Sequence, residues 1–189
     1  MKKTLITLCL AALASGVSAG TDEAAELSQA KKATAAFAGA LKSELVSAMQ
    51  SGGPNEAIDV CNTRAVLIGE EVSLEQGMTL SRVSVRNRNP DNAPNEWQAE
   101  VLESFEARKA AGDSPGALTW HEVADTATGK ELRFMKAIPT GAVCLACHGE
   151  TLAPPVAEQL AELYPEDKAT GYIEGDIRGA FVVTRQLDR

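Results

Sequence analysis

The chain has 189 residues, of which 26 are acidic and 18 are lysine or arginine, for a formal net charge of −8 at neutral pH. That length fits one domain able to bury a core around a cofactor rather than two independent ones. The acidic balance disfavours nucleic acid and anionic lipid as partners and steers toward basic proteins at low ionic strength.

In chain order, the first residues read as an address. MKK, the apolar run TLITLCLAALA and the small residues Val17-Ser18-Ala19 ahead of Gly20 form a secretory signal with its cleavage site. The apolar run is well short of the roughly 20 residues that cross a bilayer. Residues 1–19 are therefore expected to be a signal peptide and 20–189 a single exported domain, periplasmic in a bacterium. Losing two signal-segment lysines would take its charge from −8 to −10. Cys9 leaves with the signal and lies too early in it to mark lipid attachment.

The stretch TDEAAELSQAKKATAAFAGALKSELVSAMQSGG predicts one long helix, capped by Thr21 and stopped by Gly52-Gly53. Leu27, Ala30, Thr34, Phe37, Leu41 and Ala48 share one of its faces. A second, shorter helix is expected from about Asn55 to Glu71, entered through Pro54 and ended before Gly77. MTLSRVSVR reads as a strand, and NRNPDNAP as a loop without regular structure. NEWQAEVLESFEARKAAG predicts a third helix, with Asn95 as its cap and Gly112 just past its end. ALTWHEVAD and KELRFMKAI are β-like runs joined by TATG in a hairpin. After GAVCLACHG, Pro155 opens a helix through VAEQLAELY, and IRGAFVVTR forms the final strand. Helices come first, strands later, and no regular βαβ alternation appears, so the expected class is α+β with a mainly antiparallel sheet.

The chemistry-bearing motif is Cys144-Leu145-Ala146-Cys147-His148. Two thiols at this spacing can bind the two vinyl groups of a haem, and the adjacent histidine can reach the iron from one side. The competing uses of Cys-x-x-Cys are a thioredoxin-like disulfide, half of a zinc site, or a structural bridge. The first wants a strand–turn–helix context that is not found here. The second wants two more ligands, with only His148, Cys61, His121 and carboxylates to supply them. The adjacent histidine and the export signal favour covalent haem c, with Cys144 and Cys147 as linking residues and His148 as iron ligand.

For the other side of the iron, patterning leaves alternatives open. In the hairpin, Leu118 and Trp120 mark one face and His121 the other, while Met135 opposes Leu132, Phe134 and Ile138. His121 and Met135 are thus expected on the outer face of a half-buried sheet, and Met78 has no clear face. Cys61 lies with Ile58, Ala65 and Ile68 on the buried stripe of the second helix. It reads equally as a ligand or as the small core hydrophobe that free cysteines usually are.

The stretches AIDVCNTRA, RNRNPDNAPNEW, CLACHG and GYIEGDIRGAF, in that order over most of the chain, resemble a family of single-haem c-type domains with a PAS-like fold, defined structurally by a cyanobacterial cytochrome. The resemblance implies one covalent haem with histidine and cysteine axial ligands. Matched residue by residue, it puts the linking cysteines at Cys144 and Cys147, the proximal histidine at His148 and the cysteine ligand at Cys61. It also implies a PAS-like sheet with flanking helices.

Arg86 and Arg88 are candidate partners for a haem propionate, although a solvated basic loop explains them as well. The glycines of Gly175-Asp176-Ile177-Arg178-Gly179 more often permit close backbone approach than bind anything, and Trp97, Trp120, Phe105, Phe134 and Phe181 read as core. A thiolate donor stabilises ferric iron, so a His/Cys centre implies a low potential. With both axial positions taken by protein, no vacancy is left for peroxide, and no enzymatic activity is expected. The expected function is one-electron transfer to a protein partner. The alternative is a haem-based redox or gas (CO or NO) sensor acting through a separate signalling protein, an idea the PAS resemblance invites by fold analogy alone.

Overall fold

The computed structural model describes residues 19–187, with side chains from Glu23 onward. The expected signal segment lies, but for Ala19, outside the described residues. Helix α1, Ala19–Ser51, begins ahead of the Thr21 expected to cap it. Its inward face carries Ala30, Ala33, Thr34, Phe37 and Ala48, all buried. The small side chains let it lie close along α2, Gly53–Gln76.

Pro54 sits in the first turn of α2, where its missing N–H costs nothing. Gly77 ends the helix with φ 62°, in the left-handed region open to glycine. The helix thus runs past the expected end at Glu71. Ser73 helps: its hydroxyl bonds the Gly69 carbonyl at 2.6 Å and accepts the Leu80 N–H at 2.9 Å, tying the last turn to the strand that follows.

Strand β1 is Thr79–Val83, shorter than the run suggested by sequence. The NPDN loop tightens into a single 3-10 turn at Pro90–Asn92, with the Asn89 side chain capping it. Helix α3, Glu96–Ala110, starts in a capping box in which Asn95 and Gln98 satisfy each other's backbone N–H. Strands β2, Thr119–Thr126, and β3, Gly129–Pro139, form the expected hairpin. Strand β4, Ile177–Gln186, pairs antiparallel with both β1 and β3. The sheet order is β1-β4-β3-β2, so the α+β antiparallel expectation holds.

The sheet is covered on both faces rather than half-buried. Helices α1 and α2 cover one, around Phe37, Ile68, Leu80, Phe134 and Val183. Helix α3 covers the other, around Leu102, Phe105, Leu118, Met135 and Val182. Met135 is accordingly 0% exposed instead of lying on an outer face. The alternation along β3 was right, but α3 closes over the side that a half-buried sheet would have left to water. His121, by contrast, is exposed. A smaller cluster joins α2 to helix α5, Pro154–Leu163, through Ile58, Val156 and Leu160. Asn55 and Gln159 clamp the same junction, with Asn55 Nδ2 on Gln159 Oε1 at 2.5 Å and Gln159 Nε2 on Asp59 Oδ1 at 2.7 Å.

Candidate functional site

Residues Ala142–Cys144 form a 3-10 turn that runs directly into helix α4, Leu145–His148. Cys144 and Cys147, three residues apart on this coil, therefore fall on one side of it. Both are free and half-buried.

His148 is oriented by the chain beyond it. Its Nδ1 lies 2.7 Å from the Ala169 carbonyl. A carbonyl can only accept, so Nδ1 carries the proton and the lone pair rests on Nε2. Burial, then the Arg178 and Arg88 cations beside it, push the imidazole down to about 2. The ring is thus neutral at physiological pH, the form that ligates metal. Backbone bonds hold the partner segment in place: Tyr172 N–H donates to the His148 carbonyl and Gly171 N–H to the Gly149 carbonyl, each at 2.9 Å. The Tyr172 ring stands edge-on to the imidazole, 6.2 Å between centroids.

Arg88 fastens these two segments together. Its Nε pairs with Asp167 at 3.0 Å, and its terminal nitrogen donates to the Cys147 carbonyl at 2.6 Å and more weakly to that of Ala169 at 3.4 Å. One guanidinium thus holds both the motif and the carbonyl that orients His148. Arg86 donates to the Thr170 carbonyl and lies 4.0 Å over the Tyr172 ring. Neither residue matches the reading of a solvated basic loop, since both are engaged by protein.

Cys61 arrives from α2. Toward the helix N-terminus its neighbour Ile58 packs against α5, in the cluster that Cys147 also borders, while Ile68 and Val72 belong to the main core. The thiol occupies the interval between the two and is half-buried rather than sealed in. Burial pushes it up, against the pull of the Arg82, Arg88 and Arg178 cations. Burial also raises the Cys147 thiol, opposed by Arg88 and reinforced by Cys61 and Cys144. The structure therefore brings Cys61 to the motif, the placement that stripe and core readings left undecided.

The other distal candidates lie elsewhere. His121 sits near Glu23, Nε2 to carboxylate 4.0 Å. Met135 is sealed under α3, and Met78 is packed with Phe37 and Leu80.

Sequence reasoning missed Arg82 and Arg178. Arg82 lies two residues beyond the buried Leu80 and so shares its face of β1; a charge on the covered face of a strand was the signal that could have found it. Arg178 donates to the Arg86 carbonyl at 3.2 Å and stands 5.5 Å over Tyr172, but its Nε is buried without a hydrogen-bond partner. Burial is the main cause that pulls both guanidiniums below their ordinary range. Among the described residues, neither is paired with a carboxylate.

Comparison with known proteins agrees with this architecture. No curated protein matches the chain. Among solved structures, the crystal structure of the cyanobacterial heme-protein Tll0287 is similar, with a TM-score of 0.62 at 21% identity, over 91% of this chain and 99% of that one. At that identity the likeness establishes the fold. The family model described as Tll0287-like matches residues 17–185. The chain belongs to the Tll0287-like family.

Proposed function

We propose that this chain is an exported c-type haem protein that transfers single electrons to a protein partner. Cys144 and Cys147 hold one haem covalently, His148 Nε2 ligates the iron from one side, and the Cys61 sulfur ligates it from the other. The observation that carries this reading is the 2.7 Å contact from His148 Nδ1 to the Ala169 carbonyl. It fixes the tautomer whose free nitrogen a metal needs, in the residue adjoining two unpaired thiols. The match to a solved heme-protein supports the same conclusion.

The residues present fit the group. Two thiols that would take the thioether bonds share one side of a helical turn, a neutral imidazole is already oriented, and a third thiol that would serve as a further ligand lies near the motif. The four-residue α4 also offers no long helix of the kind that lowers a reactive thiol in a redox-active Cys-x-x-Cys. Bound haem supplies a one-electron iron couple. The protein's own contribution is to keep His148 neutral and turned by Ala169, and to hold the Cys61 thiol where it would serve as the second ligand. Burial discourages that ionisation, whereas the neighbouring arginines favour it.

The test is production in cells competent for c-type maturation, followed by denaturing electrophoresis with haem staining and by optical and EPR spectra of the wild type and of Cys61→Ser in both redox states. The expected result is one covalent haem, a low-spin ferric spectrum that Cys61→Ser changes, and reversible reduction. An unchanged ferric spectrum in Cys61→Ser would remove Cys61 from the iron. Release of a ligand on reduction followed by CO or NO binding would turn the reading from carrier to sensor.

A further inference from the structure

We propose that the two haem propionates point inward, onto Arg82 and Arg178, instead of into solvent. The inference rests on the haem reading above and concerns the edge of the cofactor opposite its thioether bonds.

Arginine keeps its charge under all ordinary conditions, and a desolvated cation is costly unless an anion meets it. The other basic side chains close to the site have partners. Arg88 has Asp167, Lys109 has Asp176 at 2.7 Å, and Arg86 has the Thr170 carbonyl and the Tyr172 face. Asp167 and Asp176 are thereby used, and Asp176 additionally accepts the Ile173 N–H at 3.0 Å. Arg82 faces the Phe37 ring at 5.9 Å and Arg178 the Tyr172 ring and the Arg86 carbonyl, but among the described residues neither meets a carboxylate, and Arg178 Nε is buried and bonded to nothing. Haem brings two carboxylates.

Position agrees with this count. Arg178 stands 5.5 Å over the Tyr172 ring, which is itself edge-on to His148, and Arg82 follows Leu80 on the face of β1 that packs against α2, the helix carrying Cys61. A guanidinium also presents parallel N–H donors that match a carboxylate edge to edge. Arg178 approaches from the β4 entry and Arg82 from β1, so the pair can receive two separate carboxylates.

The experiment uses the holoprotein, produced with haem carrying ¹³C at the propionate carboxyl carbons, and follows the labelled infrared bands of the ferric state with pH. The expected result in the wild type is carboxylate bands that persist well below the ordinary carboxylate range, a proton affinity lowered about tenfold or more by adjacent arginine. Arg178→Gln should return one propionate to protonation at higher pH, by about a hundredfold in affinity, since it stays buried without its partner. Arg82→Gln should do the same to the other, and Arg178→Lys should restore most of the wild-type behaviour. Unchanged iron spectra in these variants would separate propionate pairing from axial ligation. Both labelled carboxyls titrating at an ordinary carboxylate value in the wild type would overturn the proposal, even if no variant folds. A chain that carries no haem on the stained gel fails the haem reading first, and this inference with it.

Discussion

Arg88 is the residue whose removal should be felt most widely, because it links the motif turn to the segment that orients His148. Its ion pair with Asp167 is nearly enclosed, with side chains 10% and 11% exposed, so solvent screening discounts it little. Arg88→Met deletes the pair and the bonds to the Cys147 and Ala169 carbonyls, and strands Asp167 as an unpaired buried anion. Breaking a buried pair from one side costs about 3–5 kcal/mol, a large fraction of the roughly 5–15 kcal/mol that holds a domain folded. Asp167→Asn is milder, because Asn can keep the Oδ1 acceptor now bonded by the Ala169 N–H at 2.7 Å, and Arg88 keeps its carbonyls. About 1–3 kcal/mol is expected for it. The double variant should cost less than the sum by about 2 kcal/mol, since the second change removes a group already stranded. Urea unfolding of wild type, both single variants and the double variant at neutral pH measures all of these quantities. Arg88→Met within about 1 kcal/mol of wild type, or additive singles, would refute the claim that this bracket holds the site together.

Three further expectations concern the scaffold. The carboxyl of Asp176 is held below the usual carboxylate range, first by the Lys109 bond and then by the Ile173 N–H. It therefore stabilises the fold above the unfolded carboxylate pKa and loses that contribution as pH falls through the lower folded value. Asp176→Asn should lower stability by up to about 1 kcal/mol at pH 7, with the difference from wild type closing in acid in a pH series of urea melts. At Gly179 an added Cβ would fall 2.3 Å from the Val83 carbonyl oxygen, so Gly179→Ala should cost about 1–3 kcal/mol, read as a lower thermal midpoint. Asn95→Ala removes the capping box of α3 and should cost about 1 kcal/mol; no loss in urea unfolding would show that α3 is held by Phe105 and its neighbours alone.

Local pattern made much of this molecule legible. Three- and four-residue spacing found the buried face of α1, Asn95 announced α3, and TATG marked the hairpin turn. The motif itself named a binding chemistry. What stayed hidden depends on distant segments meeting. Met135 alternates correctly along β3, yet only the return of α3 over that face decides that it is sealed rather than exposed. Arg86 and Arg88 looked alike beside Asn87 in sequence, but Asp167 and Ala169, about eighty residues later, make Arg88 a structural bracket. Arg82 and Arg178 sit in ordinary strand sequence, and nothing local to either shows that they approach the same thiol and imidazole. Cys61 shares the stripe of Ile58 and Ile68, and it takes the packing of α5 to show that the stripe crosses from one cluster to another at that residue.

The strand that comes last in sequence lies inside the sheet, between β1 and β3. Until it threads in, β2 and β3 can make a hairpin, but β1 has no neighbour, and Arg178 and the α2 thiol have no reason to meet. The two halves of the site thus lie far apart in the sequence and meet through the strand that comes last. The motif precedes in the chain the strand that completes its surroundings, so its thiols stay open to chemistry until that strand is in place.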